Sequence, residues 1–146
     1  MVKRLEAVLA AADAVLYKHL TQVLNVEIPL FAFRWVNCLL LRELTITQSL
    51  RLFDTYLSDE SRDWSSSHVF VCCALLLRMS SLLMNLTDFA VALHTLQNPP
   101  TERLSAKDMN EIISGGLHLA VPVRKRASSG ESRGSGGGQR SRWFAG

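Results

Sequence analysis

Three groupings in this chain of 146 residues have the residue types and spacing that chemistry uses. Gly130-Glu131-Ser132-Arg133-Gly134 matches the hydrolase pattern G-x-S-x-G, in which a tight strand-to-helix turn presents a serine to a histidine and an acid. Here the pentapeptide lies in a Gly/Ser-rich stretch with no strand before it, so the nucleophile reading is set aside. His68 and Cys72 stand four apart, one helical turn, a spacing that can chelate zinc. A structural zinc needs further ligands, and neither C-x-x-C nor H-x-x-x-H accompanies the pair; a core histidine beside a core cysteine is the simpler account. No metal and no cofactor is expected. The third grouping is charge set among apolar residues: Arg34 beside Trp35, Arg42-Glu43, and Arg51 with Asp54. A buried charge is tolerated when it is paired and hydrogen-bonded. These charges read either as structural ion pairs that set helix register or as a binding surface. The structural reading is preferred, because no cleft constellation accompanies them.

Helices must position these residues. Apolar side chains at Val2, Leu5, Leu9, Ala12, Leu16 and Val23 follow helical spacing until Pro29 interrupts it. Phe31 to Leu44 is apolar around most of its circumference, which predicts a central, largely buried helix. Thr47 to Leu57 is expected to turn Leu50, Phe53 and Leu57 inward. After a polar loop from Ser58 to Ser67, Ser67 is placed as the cap of a helix from His68 to Met84, and Thr87 as the cap of another to Leu96. Asn98-Pro99-Pro100-Thr101 is a turn, and Ser105 with Asp108 resembles a capping box for a last helix that Gly115-Gly116 weakens. No stretch alternates with period two and no repeat is visible, so the fold class is all-α, about six helices in an irregular array.

Composition and charge narrow the function. With 48% hydrophobic and 20% charged residues, the chain is one globular body and not a disordered one. Its net charge of +3 is unevenly placed: residues 1–120 carry 10 Lys+Arg against 12 Asp+Glu, and residues 121–146 carry six against one. The basicity belongs to a Gly/Ser-rich tail over 121–146, expected to be disordered, and no basic face argues for nucleic acid. Within the tail, Arg124-Lys125-Arg126-Ala127-Ser128 makes Ser128 a candidate phosphorylation site and offers peripheral membrane contact. Cys38, Cys72 and Cys73 lie in apolar runs and read as reduced core residues. No signal-peptide core follows Met1, and the longest uncharged apolar run, Val69 to Leu77, is too short to cross a bilayer, so a cytoplasmic protein is expected.

The embedded charges also carry a resemblance. Phe31-Ala32-Phe33-Arg34-Trp35, Leu39-Leu40-Leu41-Arg42-Glu43-Leu44 and Leu50-Arg51-Leu52-Phe53-Asp54 resemble the second half of a TBC domain, the all-helical domain of Rab GTPase-activating proteins. Phe53 stands where that family usually has Trp. Residues 68–100 continue the likeness, and the ending Leu96-Gln97-Asn98-Pro99-Pro100-Thr101 is similar to the Gyp1-type branch; the resemblance spans roughly residues 1–120. It implies a Rab-type small GTPase as partner, a place at endomembranes, and a fold-supporting role for Arg34, Trp35, Arg42, Glu43, Arg51 and Asp54. TBC proteins supply an Arg from I-x-x-D-x-x-R and a Gln from Y-x-Q-G to stabilise transition-state charge and orient water. Neither motif stands in this sequence; Tyr17 and Tyr56 precede His19 and Ser58 at the Gln position. The chain is therefore expected to lack catalytic residues, to be no enzyme, and to bind a Rab or act as a scaffold. Half a domain is further expected to expose an apolar face, with Leu5, Leu9, Ala12, Leu16 and parts of 31–44, through which it self-associates. The alternative is a small helical interaction module whose basic tail binds anionic membrane or an acidic partner.

Overall fold

The computed structural model describes residues 1–58 and 63–130, with side chains as far as residue 119. The chain runs α1 (Val2–Ala12), α2 (Ala14–Lys18), a π-helical turn (His19–Val23), α3 (Pro29–Asn37), α4 (Ile46–Ser58), α5 (Trp64–Arg78), α6 (Ser80–Met84), α7 (Phe89–Gln97), a 3-10 turn (Thr101–Arg103) and α8 (Ala106–Gly130). The described residues are all-α with no strand, in eight α-helices where periodicity suggested about six.

The extra helices come from breaks that an apolar period cannot register. Asp13 leaves the first helix, and its Oδ1 accepts the N–H groups of Val15 and Leu16 at 3.1 and 2.9 Å, restarting the chain as α2. The stretch expected as one helix over 31–44 ends at Asn37, because Leu39 and Leu40 adopt left-handed backbone with φ of 51° and 59°. Asp63, not Ser67, caps α5, accepting the Ser66 N–H at 3.2 Å, and Asp88, not Thr87, caps α7, accepting the Val91 N–H at 2.9 Å. In both cases a short carboxylate one turn upstream takes the free amide. Ser105 and Asp108 do form the reciprocal box: the Asp108 N–H donates to Ser105 Oγ at 3.2 Å, and the Ser105 N–H to Asp108 Oδ2 at 2.9 Å.

The central buried element is α5 rather than the segment after Phe31. Every residue from Ser66 to Leu76 is buried, and α1, α3, α4, α6 and α8 all pack on this helix. Its small side chains (Ser66, Ser67, Cys72, Cys73, Ala74) admit neighbours on several sides. By contrast α3 buries Phe31, Ala32, Trp35 and Val36 on one face and leaves Phe33 65% exposed. Gly115 and Gly116 do not weaken α8. A Cβ at Gly116 would stand 2.9 Å from the Val71 backbone nitrogen, so this glycine is where α8 lies directly on α5.

Two further expectations change. Leu5 and Leu9 are fully buried core, because α1 packs on α3 and α5 of the same chain, and Leu16 is buried on α2, which packs on α1 and α6; of that early stripe Ala12 is exposed. On α4 the inward residues are Gln48, Ser49, Leu52 and Tyr56, while Leu50 and Leu57 are exposed. The last helix runs to Gly130, past the boundary drawn at residue 120, so Ser128 falls on α8. Residues 131–146, with the Ser132 pentapeptide and the Gly-rich run, lie outside the described residues. No described helix is long and apolar enough to cross a membrane.

Candidate functional site

The break after α3 makes the site. On a continuous helix Arg34 and Glu43 would stand nine residues apart, about 13.5 Å along the axis at 1.5 Å per residue. The left-handed pair Leu39-Leu40 turns the chain back, and the Glu43 N–H closes the turn on the Leu40 carbonyl at 3.0 Å. The Arg34 Nε–H then donates to Glu43 Oε1 at 2.6 Å. Two left-handed non-glycine residues cost on the order of 1–2 kcal/mol each. Their return is a charge pair in which the Glu43 side chain is wholly buried and the Arg34 side chain is 29% exposed. Glu43 Oε2 is buried with no hydrogen-bond partner among the described residues, so this carboxylate depends on Arg34 for compensation.

The backbone around Glu43 is fixed from the far end of the chain. Thr101 Oγ1 donates to the Glu43 carbonyl. Gln48 Nε2 donates to the carbonyls of Thr101 at 2.8 Å and Leu104 at 3.2 Å, while its Oε1 accepts the Thr45 N–H at 2.9 Å. Thr45-x-x-Gln48 is thus a capping box whose glutamine also ties α4 to the turn after α7.

Trp35 anchors a second, drier seam. Its ring meets Phe31 edge-on at 5.1 Å, and its indole N–H donates to the Leu96 carbonyl of α7 at 3.1 Å. The Trp35 carbonyl faces His68 Nε2 at 3.0 Å, and Tyr56 Oη faces His68 Nδ1 at 2.7 Å. A carbonyl can only accept, so the ring proton sits on Nε2, and Nδ1 accepts from the Tyr56 hydroxyl. One histidine therefore joins α3, α4 and α5. Burial holds His68 below its ordinary pKa and pushes Tyr56 above its own, so both are neutral. Cys72 Sγ lies 3.5 Å from His68 Nε2, but that ring is already engaged on both nitrogens. Burial raises both core thiols, Cys73 to about 12, which makes them inert, while Cys38 is half-buried.

The remaining motif charges are not buried pairs. Arg42 is exposed and lines a cavity of about 420 Å³ with Glu43, Asn98, Pro99, Thr101 and Arg103. Arg51 donates from Nε to Asn110 Oδ1 of α8 at 3.0 Å and from Nη1 to Thr55 Oγ1 at 3.2 Å, not to Asp54. Asp54 is exposed, and its carbonyl accepts from Ser58 Oγ. The guanidinium over an aromatic face is that of Arg4, 5.4 Å from the Phe70 ring centroid. The structure thus joins Arg34 with Glu43, carries Trp35 to a separate seam, and leaves Arg42, Arg51 and Asp54 at the surface. Sequence reasoning missed Tyr56, Gln48 and Thr101. Gln48 had a local signal in its capping box; the other two are set by partners distant in the chain.

Comparison with known proteins places this frame. The model of the Rab-GTPase-TBC domain matches residues 1–84. GTPase-activating protein gyp1 of Schizosaccharomyces pombe is 41% identical over 102 residues, 70% of this chain and 20% of that protein. Human TBC1 domain family member 22B is 40% identical over 118 residues, 81% of this chain and 23% of that protein. The crystal structure of the Ypt/Rab-GAP domain of Gyp1p superposes with a TM-score of 0.75 at 40% identity, covering 82% of this chain and 37% of that one. The chain spans about a fifth to a quarter of the curated relatives' length. These findings overturn the expectation that the chain stands outside enzyme function, because the relatives are GTPase-activating proteins, which accelerate GTP hydrolysis. The chain is part of an all-α domain of the Gyp1-like branch, and it belongs to the Rab-GTPase-TBC domain family.

Proposed function

We propose that this chain serves GTPase activation as the C-terminal portion of a Rab-GTPase-activating domain, with a Rab-type small GTPase as its partner. The observation that carries the reading is the likeness to the Ypt/Rab-GAP domain of Gyp1p over 82% of the chain at 40% identity. Phosphoryl transfer to water needs positioned charge at the γ-phosphate, which an Arg and a Gln supplied in trans provide. In the family these come from I-x-x-D-x-x-R and Y-x-Q-G, which do not occur among these 146 residues. This chain's part is the frame against which a segment bearing those motifs is held. Arg34 and Glu43 brace it at the α3 break, Trp35 locks α3 to α7, Arg51 links α4 to α8, and Arg42 and Asp54 face outward toward partners. The basic run Arg124-Lys125-Arg126, with Ser128 beside it, is assigned to peripheral contact with anionic endomembrane.

The test is single-turnover GTP hydrolysis by a Rab protein with the full chain and a separately expressed TBC segment carrying both motifs. The mixture is expected to accelerate hydrolysis on the order of 10³–10⁵-fold, the scale of a supplied Arg. A mixture no faster than the segment alone, with both proteins folded, overturns the reading.

A further inference from the structure

The surface at the α3 break is cationic on a body that is not. Residues 1–120 carry 10 Lys+Arg against 12 Asp+Glu, yet Arg42 and Arg103 both line the cavity of about 420 Å³ beside Glu43. Both arginines are exposed, and neither side chain makes a hydrogen bond or ion pair among the described residues. The Glu43 carboxylate on that wall is already compensated by Arg34, so the two guanidinium charges are opposed in the cavity only by the exposed Glu102. A second cavity of about 320 Å³ shares Thr45 and Glu102 with the first and extends to Arg51 and Asn110 at α8. Arg51 is held by neutral partners, Asn110 and Thr55, and keeps its charge uncancelled. The wall common to both cavities is fixed before any ligand arrives. Thr101 donates to the Glu43 carbonyl, Gln48 ties the carbonyls of Thr101 and Leu104 together, and the Pro99-Pro100 pair stiffens the turn.

We propose that these adjoining cavities bind an extended acidic peptide segment of a partner protein, with its carboxylates seated on Arg42 and Arg103. A guanidinium presents a planar fork of N–H donors that matches a carboxylate, and here two such forks have no partner within the chain. Pro99 and Pro100 offer no N–H, so anion recognition on this wall rests on the arginine side chains. Two cavities that share a wall suit an elongated ligand better than a single ion. The unpaired acceptors point the same way: Glu102 is exposed without an ion pair, and Glu43 Oε2 is buried without a hydrogen-bond partner among the described residues. A peptide brings backbone N–H donors together with its carboxylates, whereas a bare anion brings acceptors alone. Such binding stands apart from GTP hydrolysis and is read without a GTPase. Being built on exposed charge, it is weak and salt-dependent.

The test uses the full chain carrying Arg124→Gln, Lys125→Gln and Arg126→Gln, so that the basic run does not compete for an acidic probe. The probe is fluorescein-labelled hexaglutamate, followed by anisotropy at about 50 mM salt, where exposed charges are weakly screened. Saturable binding is expected. Arg42→Ala and Arg103→Ala are each expected to weaken it about three- to fivefold and together about tenfold, the scale of exposed charge pairs. Lys3→Ala and Lys18→Ala, exposed cations on α1 and α2, should leave it within about twofold of the parent. Circular-dichroism melting of the double arginine variant should match the parent, since both side chains are exposed and unpaired. Absence of binding, a double variant within about threefold of the parent, or equal weakening by the lysine variants overturns the proposal. Inorganic phosphate that displaces the probe at a concentration equal to the peptide's overturns it too, by assigning a site for single ions. So do phosphatidylserine vesicles whose binding is lost in the double variant, by assigning the surface to membrane.

Discussion

Tyr56 and Leu57 are neighbours on one helix and stand in opposite surroundings. Tyr56 is buried, its hydroxyl donating to His68 at 2.7 Å and its ring edge-on to that imidazole at 5.8 Å. Leu57 is 85% exposed and touches the mouth of an apolar cavity. The inner face is held by polar groups that satisfy one another inside the core, where an unmade hydrogen bond is costly. The outer face has apolar surface without a polar device to orient it. One side of α4 belongs to the stability of the chain, and the other contributes little to it.

The sharpest way to break that contrast is at the inner seam. Trp35→Ala removes a fully buried indole and its bond to Leu96, and a loss of about 3–5 kcal/mol is expected in urea unfolding followed by circular dichroism. A loss under 1 kcal/mol would show that the seam is not the core's anchor. Next in size is Arg34→Met. It strands the buried Glu43 carboxylate and should cost about 3 kcal/mol, whereas the double variant with Glu43→Leu should regain most of the loss, since removing both charges removes the penalty. Equal losses in the single and double variants would assign the cost to lost packing.

The two adjacent glycines of α8 offer a finer comparison. A Cβ at Gly116 meets the Val71 backbone at 2.9 Å, and at Gly115 the nearest atom is the Ala74 Cβ at 3.9 Å. Gly116→Ala is expected to destabilise by about 1–3 kcal/mol, and Gly115→Ala to stabilise by up to about 1 kcal/mol through helix propensity. The same sign for both would mean that α8 does not press on α5 at this point.

His68 sharpens the comparison through pH. Burial lowers its pKa below the ordinary 6.5, so the unfolded chain takes up a proton before the folded one does. Its contribution to stability is complete above 6.5 and is lost as pH falls below that value, by no more than about 1.4 kcal/mol per unit for one proton. Unfolding midpoints between about pH 7.5 and 5.5 should fall in the parent and fall less in His68→Gln. The smallest effect is expected outside: Leu57→Ser should change stability by less than about 0.5 kcal/mol. A larger loss would mean that this leucine is packed within the chain.

Much of the fold was legible because it rests on local patterns. The Ser105–Asp108 box, the break at Pro29 and the absence of two-residue alternation act within a turn or two. The motif residues around Arg34-Trp35 and Arg42-Glu43 pointed to the family before any geometry. The error on α4 is instructive, since Leu50, Phe53 and Leu57 form as regular a helical stripe as Leu52 and Tyr56. Periodicity finds both stripes and does not say which one the rest of the chain covers. The same limit applied to Leu5 and Leu9, which α5 covers, and to Leu16, which lies on α2 against α1 and α6. The 34–43 pair was hidden for another reason: two leucines in left-handed backbone leave no compositional trace.

By itself the sequence determined an all-α chain of the TBC family, the Ser105–Asp108 capping box, and the types of residue at the α3 break. These follow from interactions between residues close in the chain, whose energies do not depend on what lies elsewhere. Tertiary structure alone decided that Glu43 meets Arg34, that His68 carries its proton on Nε2 between Trp35 and Tyr56, and that α4 keeps one apolar stripe exposed. Those outcomes depend on which surfaces lose water, and that is settled by segments such as Leu96 and Thr101, far from α3 along the chain, which fold back against it.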